Sequence, residues 1–155
     1  MPALNFIGEA ETVRPPETTD QQYIAFRCGD THYGVPVMAV REIRSWTPTV
    51  AIPGRHAAAR GVMDIRGTVV EVFDFGALLG GKPVVPSPGS VVLVLSLENK
   101  LAGALVDAVS DIIQAGPADL MPTPETGVAP GRQVKCMVNH EDRLLAILDL
   151  AAVFS

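Results

Sequence analysis

The chain has 155 residues, 48% of them apolar, 19% charged and 5% aromatic, with a net charge of −5 at neutral pH. Twelve Lys and Arg stand against 17 Asp and Glu with no basic block, so the long-range field repels a nucleic-acid backbone or an anionic membrane. The longest apolar runs, such as Val91 to Leu95, are far below the roughly 20 residues that a membrane-spanning helix needs, and no basic start followed by an apolar segment opens the chain. The expectation is a cytoplasmic protein, without direct membrane insertion, whose partners are other proteins.

Residues 1–20 mix Pro, Thr and Glu with few large apolar side chains, the composition of a flexible tail that cannot offset its ordering entropy; Leu4, Phe6 and Ile7 leave open an edge strand or a partner contact. Valine-rich strands and an aliphatic core are expected after it. Tyr23 to Cys28 and His32 to Val35 form a hairpin around Gly29-Asp30. In "VMAVREIRSW" helical spacing of Val37, Val40 and Ile43 competes with strand alternation, which a short helical turn running into a strand reconciles. Glu42 and Arg44 then share a strand face with Val40, either as a mixed binding surface or as a solvated face.

Pro53-Gly54 forces a turn, and an alanine-rich turn of helix is expected after it. Gly61 to Ile65 and Thr68 to Phe73 form a second strand pair about Arg66-Gly67. A corner glycine admits another backbone, and a guanidinium beside it can take a carboxylate through two hydrogen bonds; the alternative is an arginine that caps the turn. Residues 80–90, "GGKPVVPSPGS", carry three prolines and suggest a linker between two halves. Val91 to Leu97, a turn at Glu98-Asn99-Lys100 and Leu101 to Val106 follow as buried strands. Then comes a long surface excursion, "QAGPADLMPTPETGVAPGRQ", and a final hairpin of "VKCMVN" and "RLLAIL" turning at His140-Glu141-Asp142.

An internal echo organises these elements. "VFDFGALL" (72–79) and "ILDLAAVF" (147–154) each run from strand through aspartate to a short apolar helix, with Asp74 and Asp149 placed to cap the helix starts. Two similarly built β subdomains are therefore expected, 21–82 and 83–155, with strand exchange between them allowed. The histidines His32, His56 and His140 are isolated, Cys28 and Cys136 lie outside any C-x-x-C pattern and suit reduced thiols, and no G-x-S-x-G, P-loop or G-x-G-x-x-G occurs. No catalytic, cofactor-binding or metal-ligating residue is assigned.

The segments "YGVPVMAVREI" (33–43), "AIPGRHAAARGVMDIRGTVVEVFDF" (51–75), "VVLVLSLENKLAGALVDAVSDII" (91–113) and "RLLAILDLAAVF" (143–154), in this order, resemble the CheW family of chemotaxis coupling proteins. The resemblance covers almost everything after the tail, and its sharpest single feature is Arg-Gly-x-x-x-x-Arg-Gly, residues 60–67. It implies a mostly β fold of two SH3-like five-stranded barrels with short helices. It also implies a non-catalytic adaptor joining the cytoplasmic tip of methyl-accepting chemoreceptors to the regulatory domain of a CheA-type histidine kinase. Val40, Glu42, Arg66 and Gly67 fall at receptor- or kinase-binding positions, whereas Val106 and Asp107 are assigned to packing and turn structure. Asp64, Glu71 and Gly76 depart from the asparagine, proline and basic residue common in the family. They keep open a regulatory module for a different histidine kinase or response regulator in a non-flagellar system.

Overall fold

The structure is a computed structural model describing residues 21–52, 57–122 and 133–154. Its strands are β1 (Gln21–Cys28), β2 (Thr31–Pro36), β3 (Val40–Ser45), β4 (Ala59–Ile65), β5 (Thr68–Asp74), β6 (Val91–Ser96), β7 (Leu101–Val106), β8 (Ala108–Ala115), β9 (Leu120–Met121), β10 (Val134–His140) and β11 (Arg143–Leu148). Two short helices, α1 (Phe75–Leu78) and α2 (Leu150–Val153), follow β5 and β11. A 3-10 turn at Val37–Ala39 runs directly into β3, so both periodicities in that stretch are expressed.

The strands form a six-stranded sheet in the order β8-β1-β2-β11-β10-β9 and a five-stranded sheet in the order β3-β6-β7-β5-β4. Apart from the two-residue β9, the sheets share one plan. A hairpin (β1-β2 or β6-β7) carries an antiparallel strand on one side (β8 or β3) and on the other pairs in parallel with the second strand of another hairpin (β11 or β5).

The two sheets cut across the expected sequential halves. All of the five-stranded sheet comes from residues 40–106, inserted between β2 and β8 of the six-stranded one, and 21–82 and 83–155 each supply strands to both. The physical reason is the parallel pairing of β5 with β7, which demands a long crossover. Residues 79–90 are part of that crossover, so the proline-rich stretch connects elements of one sheet and does not separate two subdomains. The expected tail at 1–20, and the Pro53-Gly54 turn with His56, lie outside the described residues. The alanine-rich helical turn is a simple turn at 57–58 that passes into β4 at Ala59.

Burial explains why β1 and β6 read as continuous apolar runs. Ile24, Phe26 and Cys28 point into the main core, while Tyr23 and Ala25 point into a second core with Ile113, Val138, Leu145 and Ile147. Val92 to Leu95 are all fully buried. Four of the chain's five phenylalanines join the two sheets: Phe26 of β1 meets Phe75 of α1 with ring centres 5.9 Å apart, and Phe154, just after α2, meets Phe73 at 5.4 Å and Phe75 at 5.8 Å. The helix that follows the six-stranded sheet thus packs on rings of the five-stranded one, binding two small units into one core.

Asp74 and Asp149 cap their helices as the echo predicts, accepting from the amides of Ala77 at 3.0 Å and Ala152 at 3.4 Å. Asp74 does more. Its buried carboxylate also accepts from the Val84 amide at 3.0 and 3.1 Å and pairs with Arg60 at 2.9 Å, while Arg60 donates to the Val84 carbonyl. The crossover is thereby pinned to α1. Gly76 is part of the same fit, because a Cβ there would collide with the backbone carbonyl of Lys82. This accounts for glycine at position 76.

Candidate protein-docking site

The β4–β5 hairpin closes through Arg66 and Gly67, whose φ angles of +53° and +87° are both positive, as a two-residue type I′ turn requires. The Gly67 amide donates to the Asp64 carboxylate at 2.8 Å, so the turn is capped by Asp64 and not by the arginine. A Cβ on Gly67 would meet open space, which leaves backbone conformation as the intramolecular reason for glycine. The Arg66 side chain is 81% exposed.

β3 supplies the facing group. Val40, Glu42 and Arg44 lie on its half-buried side, Arg41, Ile43 and Ser45 on the exposed one, and a bulge interrupts its pairing with β6 between Val40 and Glu42. Val40 packs against the main core. The Glu42 carboxylate accepts a hydrogen bond from Arg44 at 3.0 Å and lies 3.7 Å from the Arg66 guanidinium. β3 and β4 are opposite edges of the five-stranded sheet, so the Glu42–Arg66 contact shows that the sheet curls until its edges approach. Of the four residues expected to bind, Glu42, Arg66 and Gly67 therefore come together, while Val40 anchors the strand that carries Glu42.

The six-stranded sheet repeats the clasp with different chemistry. Asp111 on β8 lies 3.9 Å from Arg143 and 4.0 Å from His140, across the sheet from β8 to the β10–β11 hairpin. Glu141 and Asp142 form that turn with φ of +50° and +65°, in the place that Arg66 and Gly67 occupy in the other sheet. Asp107 receives the Gly29 amide at 2.6 Å and Val106 is fully buried, in agreement with packing and turn roles.

Beside the first clasp lies an open cleft of 540 Å³, walled by Arg41 of β3, Thr68 and Val69 of β5, and the β6–β7 turn from Leu97 to Lys100. The same turn separates it from a cleft of 630 Å³ bounded by Ala39 and by Leu150 and Phe154 at α2. The thiols are free, and burial pushes Cys28 up to about 12, with the Asp107 charge adding to the effect; burial also raises Cys136. Neither is an activated nucleophile. Among the described residues no group of three or more His, Cys, Asp or Glu is placed to hold a metal, and no helix is long and apolar enough to cross a membrane.

Sequence reasoning placed Glu42 and Arg66 on separate elements but gave no sign that they touch. It also treated Arg60-Gly61 and Arg66-Gly67 as one motif. The structure divides the labour: Arg60 pins the crossover and Arg66 projects from the corner.

By architecture this is a two-subdomain β protein, with each subdomain built on the same strand order. Residues 22–155 match the family described as CheW-like domain, and the chain belongs to that family of chemotaxis coupling adaptors. It is 40% identical over 137 residues to a probable chemotaxis protein CheW of Rhizobium etli, covering 88% of each chain. It is 38% identical to a chemotaxis protein CheW of Rhizobium meliloti, covering 86% of this chain and 87% of the relative. The crystal structure of the scaffolding protein TtCheW from Thermoanaerobacter tengcongensis superposes with a TM-score of 0.81, covering 88% of this chain and 94% of that one at 21% identity, and so shares the fold.

Proposed function

We propose that the chain joins the cytoplasmic tip of methyl-accepting chemoreceptors to the regulatory domain of a CheA-type histidine kinase, with no catalytic step of its own. Arg66, Gly67 and Glu42 form the docking corner, and Val40 holds β3 against the core beneath it. The observation that carries this reading is the exposed, loosely held Arg66 guanidinium, which needs to give up only a 3.7 Å ion pair to engage a partner carboxylate. The adjoining cleft supplies apolar wall from Val69 and polar wall from Arg41 and Thr68, a mixture suited to a protein surface. The net charge of −5 disfavours nucleic acid and anionic lipid as competitors for that corner. An adaptor between these two partners works in the cytoplasm, recruited to receptor arrays.

A pull-down from native cytoplasm supplemented with receptor-tip fragments tests the proposal. Recovery of both a receptor and a CheA-type kinase, lost together or singly on mutating Arg66, is the expected result. Recovery of a different histidine kinase or a response regulator alone would replace the coupling role with that of a regulatory module.

A further inference from the structure

The docking corner carries two arginines for one carboxylate, and they are held unequally. Glu42 Oε2 is the oxygen in both contacts: Arg44 Nη1 hydrogen-bonds to it at 3.0 Å, and Arg66 Nη2 lies 3.7 Å away. Arg44 sits two residues along the same strand on the same face, so its pairing needs no movement of the backbone, whereas Arg66 reaches Glu42 from the opposite edge of the sheet. Arg44 is also much the less exposed, 34% against 81%, and so is less screened by solvent.

We propose that Arg44 is a positioning residue that keeps Glu42 neutralised and so leaves Arg66 available to a carboxylate on the partner. The inference rests on the reading of Arg66 as a docking residue and adds to it a determinant of affinity that need not touch the partner. With Arg44 in place the trio carries one net positive charge, located on the exposed guanidinium, and capture of Arg66 breaks no direct hydrogen bond to Glu42. Without Arg44 the undivided charge of Glu42 would draw Arg66 into a closed pair, and a partner carboxylate would have to compete with it.

The test is a double-mutant cycle on the full chain, read by calorimetric titration with purified receptor-tip and kinase regulatory fragments and accompanied by thermal melts. Arg44→Gln should weaken binding about two- to fivefold with the melting point unchanged, the range of a partly exposed ion pair. Arg44→Lys, which keeps the charge, should bind within twofold, roughly, of the parent. The decisive arm is Glu42→Gln, in whose background Arg44→Gln should have no further effect, since no carboxylate remains to trap Arg66. Arg44→Met, which keeps the aliphatic stem, replaces glutamine if the latter lowers the melting point. Unchanged binding by both charge-removing variants overturns the inference, and so does an equal loss with and without Glu42, which would mean that Arg44 contacts the partner itself. Arg66→Ala run alongside separates the two levels: normal binding by that variant removes the docking reading, whereas weakened binding with no effect at Arg44 removes the positioning role alone.

Discussion

Asp74→Ala should cost several times more stability than Asp149→Ala, although both aspartates cap helices of the same length in the same motif. Asp149 is exposed and makes its capping contact at 3.4 Å, which puts its loss at about 0.5 kcal/mol, the weak end of capping effects. Asp74 is 3% exposed. Its removal deletes a better cap at 3.0 Å, leaves the buried Val84 amide without its acceptor and takes the carboxylate from Arg60. The cap is worth about 1 kcal/mol, the stranded amide about 1–3, and the ion pair under about 1 because the arginine is 31% exposed, for about 2–5 kcal/mol together. Urea unfolding followed by circular dichroism should therefore move the midpoint by about 1–3 M for Asp74→Ala and by only a few tenths for Asp149→Ala. Equal shifts would refute the claim that Asp74 anchors the crossover as well as the helix.

Gly67→Val places a branched side chain at φ +87°, so it should lower stability by about 1–2 kcal/mol through backbone strain alone, while Gly67→Asn, which tolerates that region better, should lower it less; thermal melts decide. Gly76→Ala drives a methyl against the Lys82 carbonyl and should cost about 1–3 kcal/mol in chemical denaturation, with full retention of stability excluding the close fit. The buried Cys28 thiol, raised from an ordinary 9.0 to about 12, keeps its proton in the folded state after the unfolded chain has lost its own. Its contribution is fully present below pH 9 and is lost as the pH climbs towards 12, so unfolding free energy should fall more steeply over that window in the parent than in Cys28→Ala.

The hairpins were legible because turn chemistry is local: Gly29-Asp30, Arg66-Gly67, Glu98 to Lys100 and Glu141-Asp142 each mark a reversal within a few residues. The two caps were legible for the same reason, since Asp74 and Asp149 act on amides three residues on. Sheet membership was not. β8 is an edge strand with Ser110, Asp111, Ile112 and Gln114 exposed, so it lacks the alternation that marks a strand, and its pairing with β1 joins distant parts of the chain. A composition rich in Pro, Gly and Ser suggested a loose linker at 80–90, yet Val84 and Ser90 are buried and the segment is fastened by Arg60 and Asp74. Aromatic scarcity pointed to an aliphatic core and concealed that the phenylalanines concentrate where the two sheets meet. The Glu42–Arg66 contact depends on the curl of the whole five-stranded sheet, which no local pattern encodes.

The most direct measurement of the docking claim is the affinity of Arg66→Ala for a receptor-tip fragment and for a CheA-type kinase regulatory fragment, taken together with its melting temperature. The side chain is 81% exposed and the turn is capped by Asp64, so the fold should melt within a degree or two of the parent. Loss of a charge-assisted contact should weaken binding of at least one fragment by about 1.5–3 kcal/mol, tenfold or more. Normal binding of both fragments by a variant that melts earlier would make Arg66 a structural residue of the clasp and move the docking site off this corner.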